Sequence, residues 1–407
     1  MVPNGWVLKN LGRLATKIGS GVTPKGGSNA YKPSGIPLIR SQNVLWGNLD
    51  LSDVAFIDED QHAKMKGSIV YKNDVLLNIT GASIGRSAVS HLNEANVNQH
   101  VCIIRSDALE PEYLKNFLLS FYGQKQIEQF QAGGNRQGLN FEQIKSFKLP
   151  VPPLPEQRKI AKILCTWDKA IATTEKLIAT SQQQKKALMQ QLLTGKKRLV
   201  DPDTGKVFEG EWELTHLKSL LIEEKSRNKD NKITRVLSVT NHSGFVLPED
   251  QFSKRVASEN ISNYKIVKQG QFGYNPSRLN VGSFACLNQF SEGVLSPMYV
   301  VFSTNDSKLQ RDYLSYWMDS HEAKQRIKNS TQGSVRESVG FDALCSFPFI
   351  LPALNEQQKI ASVLTAADKE IELLQAKLAH LKDEKKALMQ QLLTGKRRVK
   401  VDENVAA

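Results

Sequence analysis

The sequence predicts an α+β protein with a pseudo-twofold internal repeat, in which two mixed globular segments alternate with two long helices that pair with each other. Three observations support this fold class. The segment 185–196 (KKALMQQLLTGK) recurs letter for letter as 385–396, and the similarity continues upstream into the proline-rich strips LPVPPLPEQ (149–157) and ILPALNEQ (350–357). Both helices also have a hydrophobic period of about 3.5 residues. A long unit that occurs twice differs from a solenoid, which stacks short units many times.

The repeat divides the chain into four parts. They are a globular segment at 1–150, a helical spacer at 151–200, a second globular segment at 201–350, and a second helical spacer with a basic tail at 351–407. Short apolar runs between Gly, Asn and Asp turns predict strands at 36–44, 68–79 and 97–105, and a helix follows at 112–130. The second globular segment repeats this order at low identity, with Trp212 parallel to Trp6 and Asn275 parallel to Asn78. The matching apolar positions indicate a shared core.

The spacers are predicted to be helices over 156–194 and 356–394. Glu156 and Glu356 suit the first turn, where the helix dipole favours an acid, and Gly195 and Gly395 suit the C-terminal caps. The apolar stripe comprises Ile160, Leu164, Trp167, Ile171, Ile178, Leu188 and Leu192 in one copy, and Ile360, Leu364, Ala367, Ile371, Leu374, Leu378, Leu381, Leu388 and Leu392 in the other. Polar residues interrupt it at Thr174, Ser181, Lys185 and Lys385. Such a stripe favours a partner helix, and the other copy is the obvious one; packing on a globular segment is the alternative.

Charge and cysteine content narrow the class of protein. The chain has 54 Lys and Arg against 41 Asp and Glu, a net charge of +13, and a pI near 9.4. This balance favours a polyanionic partner, most often nucleic acid, although a basic protein that binds nothing is the alternative. The four cysteines form no CxxC pair, so zinc and a disulfide framework are not expected, and a reducing cytoplasm fits. With no apolar leader and no stretch of about 18 apolar residues, no membrane association is expected.

Catalytic motifs are not evident in the sequence. There is no Gx4GK[ST] loop and no GxGxxG after a strand, and the glycine loop at 81–85 reads as a turn. The segment 275–278 (NPSR) resembles the Asn-Pro-Pro-aromatic motif of amino-methyltransferases, but it lacks the second proline and the aromatic residue. No acidic cluster marks a nuclease, and a Ser-His-Asp or Cys-His arrangement stays open. The residues alone therefore identify no catalytic site and no cofactor site in this chain.

Polar and basic loops remain as the candidate functional residues. Arg pairs with guanine edges, and Asn or Gln with adenine edges, in the major groove. The candidate DNA-binding residues of the first segment are Arg40, Gln42, Asn43, Arg86, Gln99, Asn135, Arg136 and Gln137. Those of the second segment are Asn241, His242, Asn275, Arg278 and Arg336. The alternative for each is an ordinary solvated turn.

The whole chain resembles the specificity subunit (HsdS) of type I restriction–modification systems. The resemblance is carried by LPVPPLPEQRKIA at 149–161, its relative ILPALNEQQKIA at 350–361, and the KKALMQQLLTGK ending of each helix. It implies that each variable segment is a target recognition domain that reads one half of a bipartite target in double-stranded DNA. It also implies that the helices form an antiparallel coiled coil that fixes the gap between the half-sites. The two modification (methyltransferase) subunits would dock on the repeated helices, joined by restriction (ATP-dependent translocase and nuclease) subunits.

The same resemblance places S-adenosylmethionine, ATP and Mg²⁺ in the partner subunits. Candidate docking residues in the repeated segments are Gln157, Lys159, Gln190, Gln357, Lys359 and Gln390. The second copy departs from the strip, with Ala353 in place of Pro153 and Asn355 in place of Pro155, so the two docking sites need not be equivalent. Two other classes stay open: a stand-alone DNA adenine methyltransferase, which would need a cofactor site, and a structural coiled-coil adaptor.

Overall fold

The protein is described by a computed structural model that covers residues 2–131, 138–248, 260–331 and 338–401. The chain forms two compact units. The first unit comprises Met1–Lys176 and Ala376–Ala407, and the second unit comprises Leu177–Gln375. Each unit therefore contains one globular segment together with parts of both long helices.

The first globular segment is a mixed α/β domain. Its strands are β1 (Val7–Asn10), β2 (Lys17–Ser20), β3 (Ile36–Ile39), β4 (Ala55–Ile57), β5 (Ile69–Tyr71), β6 (Val75–Asn78), β7 (Ser87–Val89), β8 (Glu94–Val97), β9 (Val101–Arg105) and β10 (Lys148–Val151). Its helices are α1 (Glu59–Lys64), α2 (Pro111–Leu119), α3 (Phe121–Gln131) and α4 (Phe141–Lys145), and the first long helix α5 (Leu154–Leu192) follows. The strand orders are β2-β9-β6-β7, β4-β3-β8-β5 and β1-β10.

Two predicted elements of this segment are each broken into two. The predicted strand at 68–79 is divided by a turn, because the buried Asp74 carboxylate accepts hydrogen bonds from the Tyr71 N–H (2.7 Å) and the Arg105 guanidinium (2.6 Å). The predicted helix at 112–130 is broken at Ser120, whose hydroxyl donates to the Phe117 carbonyl at 2.6 Å. Gly123 permits the sharp corner that follows, since a Cβ there would lie 2.3 Å from the Phe117 carbonyl oxygen.

The second globular segment repeats most of this arrangement. Its strands are β11 (Glu213–His216), β12 (Leu221–Glu223), β13 (Ser238–Thr240), β14 (Gly244–Val246), β15 (Lys265–Lys268), β16 (Phe272–Tyr274), β17 (Phe284–Cys286), β18 (Glu292–Leu295), β19 (Val300–Thr304) and β20 (Pro348–Leu351). Its helices are α6 (Arg311–Asp319), α7 (His321–Thr331) and α8 (Phe341–Cys345), and the second long helix α9 (Leu354–Leu392) follows. The order β12-β19-β16-β17 matches β2-β9-β6-β7, and β11-β20 matches β1-β10, while the small pair β13-β14 takes the place of β3 and β4.

The long helices pair antiparallel, as the fold class requires. In the first unit, Ile160 and Leu164 near the start of α5 share a buried cluster with Leu392 at the end of α9. In the second unit, Ile360 and Leu364 near the start of α9 share a buried cluster with Leu192 at the end of α5. The start of each helix thus packs against the end of the other, and both helices begin and end two residues before the predicted limits.

Two of the polar interruptions of the apolar stripe, Lys185 and Lys385, form charge pairs between the helices. Lys385 Nζ lies 2.5 Å from Asp168 Oδ1 in the first unit, and Lys185 Nζ lies 2.5 Å from Asp368 Oδ1 in the second. A charged residue on the stripe can set the register of a coiled coil because it is satisfied at one position only. Thr174 is also buried, and its hydroxyl donates to the Ala170 carbonyl one turn earlier.

A second contact between the helices was not predicted. In the first unit the Arg398 guanidinium donates to both oxygens of Glu156 at 2.6 and 2.7 Å, and the Trp6 indole N–H donates to the same carboxylate at 3.0 Å. Arg198, Glu356 and Trp212 form the same arrangement in the second unit, at 2.6, 2.8 and 3.0 Å. We call these the two Glu–Arg–Trp clusters. The arginine after each helix therefore contacts the other helix's first turn instead of its own C-terminal pole.

Candidate nucleic-acid interface

The polar loops of the first unit meet at one end of the β2-β9-β6-β7 sheet. Asn78 ends β6 and is fully buried. Its side-chain N–H₂ donates to the Ser41 carbonyl at 2.8 Å and to the Val44 carbonyl at 3.3 Å. The strand end thus holds the 40–44 loop beside the 79–86 hairpin loop that carries Arg86. These contacts bring together two of the loops that the sequence singled out.

An acidic residue holds the polar side chains of the 40–44 loop. Arg40 Nη2 donates to the Asp53 backbone carbonyl at 2.7 Å and lies 3.6 Å from its carboxylate. Gln42 Nε2 donates to the Asp53 carboxylate at 2.6 Å. Nearby, the backbone N–H of Ser52 holds the pKa of the Asp50 carboxyl below its usual value, so this acid is ionised at neutral pH. The loop therefore presents Arg40 and Gln42 beside negative charge.

The expectation that Asn43 reads DNA is corrected by its position. Its side chain is only 2% exposed. The side-chain carbonyl accepts from the Arg40 N–H at 2.9 Å, and the side-chain N–H₂ donates to the Asp50 carbonyl at 3.0 Å. Both ends of the amide are used to fix the loop, so Asn43 shapes the surface that carries Arg40 and Gln42.

The β8–β9 loop lies against the 79–86 loop. The Thr80 hydroxyl and His100 Nδ1 are 2.6 Å apart, and Gln99, which is exposed, accepts a short hydrogen bond from the Thr23 hydroxyl. Arg86 is half-buried, and its Nε has no hydrogen-bond partner among the described residues. The Leu139 N–H donates to the Ile79 carbonyl at 2.9 Å, which places that part of the chain beside the same loop. Asn135, Arg136 and Gln137 lie outside the described residues.

The second unit has an equivalent edge with a different lining. The hairpin loop after β16 begins at Asn275, whose side-chain carbonyl accepts from the Ser277 N–H at 3.0 Å. The Ser283 hydroxyl donates to the Val239 carbonyl at 2.9 Å and so joins this loop to β13. Asn241, Asn275 and Arg278 line one cavity of about 450 Å³. His242 lines a neighbouring cavity of about 550 Å³. Arg336 lies outside the described residues.

Sequence reasoning missed two residues of this edge. Val281 is 58% exposed and Met298 is 63% exposed, and both line the cavity that contains Asn275 and Arg278. The candidate DNA-binding residues in the sequence are all polar, because hydrogen-bond donors and acceptors mark base-reading loops most directly. The sequence does contain a clue to them. Each is an apolar residue in a loop, away from the regular apolar spacing of a strand or a helix.

The repeated helix ends form the other candidate surface. Gln190 and Gln390 are exposed, Lys159 is exposed and Lys359 is half-buried. Gln190 lines a cavity of about 910 Å³ between the end of α5 and the α6–α7 corner. In the first unit, a cavity of about 760 Å³ lies between helix α3 and the residues Thr394 and Lys396 that follow α9, and its lining differs from that of the second unit's cavity. Each unit therefore presents one concave surface beside a copy of the QQLLTGK ending.

Two of the predicted docking residues are corrected. Gln157 is 1% exposed, and its side-chain carbonyl accepts from the Glu110 N–H at 2.8 Å while its N–H₂ donates to the Pro152 carbonyl at 3.0 Å. Gln357 is fully buried and makes the same contacts with Gln310 and Pro352 at 2.9 and 2.8 Å. These glutamines join the start of each long helix to the domain that precedes it, so their amides do not face a partner.

No group of three or more His, Cys, Asp or Glu side chains among the described residues is placed to hold a metal ion. Among the same residues, no helix has both the length and the apolar character needed to cross a membrane.

Comparison with known proteins agrees with this architecture. A family model described as the type I restriction modification DNA specificity domain matches residues 3–181 and 220–383. The chain is 25% identical over 425 residues to the putative type I restriction enzyme MjaX specificity subunit of Methanocaldococcus jannaschii, covering 98% of this chain and 95% of the relative. It is 24% identical over 382 residues to the type I restriction enzyme EcoKI specificity subunit of Escherichia coli K12, covering 88% and 81%.

Solved structures share the fold. The HsdS subunit from Thermoanaerobacter tengcongensis matches with a TM-score of 0.53 at 17% identity, over 97% of this chain and 98% of that one. The S subunit of a type I restriction–modification system from M. genitalium matches with a TM-score of 0.58 at 12% identity, over the same shares. Since the family model covers both halves of the repeat, the chain belongs to the family of type I restriction–modification DNA specificity domains.

Proposed function

We propose that this chain is the non-catalytic DNA-recognition subunit of a type I restriction–modification complex, in which each globular domain reads one half of a bipartite double-stranded target. One observation carries the proposal: the two units repeat one scaffold, but the loops at the equivalent sheet edge carry different polar and basic side chains. Arg40, Gln42, Arg86 and Gln99 belong to the first edge, and Asn241, His242, Asn275 and Arg278 belong to the second. A protein that reads two different half-sites with one scaffold needs this combination.

The direct test combines the chain with duplex DNA. The reconstituted complex with modification subunits is used to select preferred targets from a randomised duplex library. A bipartite consensus is expected. Replacement of residues 2–150 by the matching segment of another family member should then change one half-site and leave the other unchanged. If both half-sites change together, the domains do not read DNA independently. Methylation by this chain alone with S-adenosylmethionine would support the alternative of a stand-alone methyltransferase.

The paired helices are proposed to set the gap between the half-sites. The test inserts seven residues between Lys176 and Leu177 and seven between Gln375 and Ala376, where the compact units meet, so the contacts inside each unit are kept. Seven residues preserve the coiled-coil phase and lengthen each helix by about 10 Å. At about 3.4 Å per base pair, the preferred gap should grow by about three base pairs with unchanged half-sites. An active variant that retains the original gap would exclude this role for the helices.

The partners are proposed to dock on the repeated helix ends. Gln190 and Gln390 are exposed at matching positions of the two repeated helix ends, which suits two identical modification subunits. Restriction subunits would join the same assembly, and S-adenosylmethionine, ATP and Mg²⁺ would be bound by the partners, in the cytoplasm. Gln190→Arg should remove one modification subunit from the complex in native mass spectrometry, and Gln190→Arg with Gln390→Arg should remove both. Gln183→Arg, an exposed position on the same helix, is the control.

A further inference from the structure

The candidate reading edge of the second unit holds two exposed apolar side chains beside its polar groups. The β8–β9 loop of the first unit carries Gln99 and His100, both of which make hydrogen bonds. The corresponding β18–β19 loop carries Met298, which is 63% exposed. Val281, from the neighbouring hairpin loop, is 58% exposed and lines the same cavity. We call these two side chains the apolar pair.

Polar groups suited to base edges surround the apolar pair. Met298 Sδ lies 3.8 Å from the Asn275 side-chain nitrogen. Arg278 and Asn241 line the same cavity. An amide and a guanidinium are the groups that read adenine and guanine edges in the major groove. The apolar pair therefore lies beside hydrogen-bonding groups in a cavity of mixed lining, which also includes Val236, Pro248 and Tyr299.

The backbone holds both side chains in place. The Tyr299 N–H donates to the Ser296 carbonyl at 3.0 Å and closes the turn that carries Met298. Gly282, with a φ of 91°, follows Val281, and its N–H donates to the Leu279 carbonyl at 3.0 Å. The Ser283 hydroxyl fixes the same loop to β13. Two apolar side chains that fixed turns hold exposed beside hydrogen-bonding groups are placed to contact an apolar group of a bound ligand.

The major groove offers one apolar group, the 5-methyl of thymine. We propose that Val281 and Met298 bind the 5-methyl group of a thymine in the second half-site, beside the base edge that Asn275 or Arg278 reads. This proposal rests on the proposed function. The flexible, polarisable methionine suits contact with a methyl group whose exact position varies with the local DNA geometry. The apolar pair is then a specificity-determining element of the second domain.

The experiment uses the complete complex and its selected target. Every thymine of the second half-site is replaced in turn by deoxyuridine, which removes only the 5-methyl group. One replacement should weaken binding about fourfold, as expected for one buried methyl group. Met298→Ala and Val281→Ala should bind the thymine and deoxyuridine duplexes with nearly equal affinity. Deoxyuridine in the first half-site, and Leu214→Ala at an exposed apolar residue of β11, serve as controls.

The possible outcomes separate this proposal from the proposed function. A second half-site without thymine, or an unchanged preference for thymine in both variants, would overturn the assignment. A Met298→Ala variant that loses modification subunits while retaining the thymine preference would also overturn it, since a protein would then cover the pair. Arg278→Ala tests whether this sheet edge contacts DNA at all. If Arg278→Ala also leaves binding to the second half-site unchanged, the proposed function of this edge is wrong.

Discussion

The two units use the same construction to hold their helices and different constructions to present their loops. The Glu–Arg–Trp clusters agree within about 0.1 Å in every hydrogen bond. The edges differ, since the first unit has a 40–53 loop pinned by Asp53 and the second has open cavities with an exposed apolar pair. The comparison indicates that the contacts that hold the long helices together are the same in both units, while the candidate DNA-binding loops differ.

The largest effect is expected from removing the shared clusters. Glu156→Ala and Glu356→Ala each leave an arginine and an indole N–H without their buried acceptor. Breaking a buried ion pair costs about 3 kcal/mol of unfolding free energy or slightly more, and somewhat less for Glu156, whose partner Arg398 is 44% exposed. Chemical denaturation measures the change. Glu142→Ala, an 82% exposed ion-pair partner, is the control and should change little.

The second prediction compares the DNA edges. Arg86→Ala should weaken recognition of the first half-site only, and Arg278→Ala that of the second only, each by about 1–3 kcal/mol if the side chain contacts a base. The measurement is the affinity of the complex for duplexes with one half-site randomised. A uniform loss across sequences with a smaller salt slope would identify a phosphate contact instead.

The third prediction concerns a difference between the aspartates of the two equivalent charge pairs. Asp368 accepts from the Tyr316 hydroxyl at 2.9 Å, whereas the second oxygen of Asp168 has no hydrogen-bond partner in the described part of the chain. Tyr316→Phe should therefore cost about 1 kcal/mol of unfolding free energy.

A pH titration of the same variant sharpens this asymmetry. Burial, with Asp368 adding to it, raises the pKa of Tyr316 from its usual value to about 12. The folded state then retains a proton that the unfolded state loses, so this contribution is complete below pH 10 and falls as the pH rises toward 12. Between pH 10 and 12, the free energy of unfolding of Tyr316→Phe should therefore fall less steeply with pH than that of the unmodified chain. Equal slopes would contradict the role of this hydroxyl.

The smallest effect is expected at Asp53, which is 83% exposed. Asp53→Asn removes the charge beside Arg40 and releases Gln42 from the carboxylate. Non-specific DNA affinity at low salt should rise about two- to threefold, with a slightly steeper salt dependence. Asp60→Asn, another exposed acid of the same unit, is the control. An equal rise in both variants would mean that net charge alone is responsible.

The sequence predicted the helices better than the loops for a physical reason. The apolar period and the caps of a helix are set by residues that are close together in the sequence, so the limits of the long helices were predicted to within two residues. Whether a side-chain amide faces solvent or the interior depends on contacts with distant parts of the chain. Asn43 and Gln157 are residue types suited to DNA reading or partner docking, but their side chains form hydrogen bonds with backbone groups in the interior. The clusters were missed although Glu156, Arg198 and their counterparts recur, because each joins residues more than 140 positions apart.

The clusters also fix an order of events during synthesis. In the second unit, Arg198 donates to the Gly210 carbonyl, 12 residues away, and all of Leu177–Gln375 leaves the ribosome as one stretch. In the first unit, Arg398 donates to the Asn4 carbonyl, 394 residues away. At about 5–20 residues per second, the first domain waits roughly 10–40 s for the helix end that covers Ile160 and Leu164. The half of the protein that is made first is therefore the last to be completed, and its uncovered helix face is the part most exposed to aggregation on the ribosome.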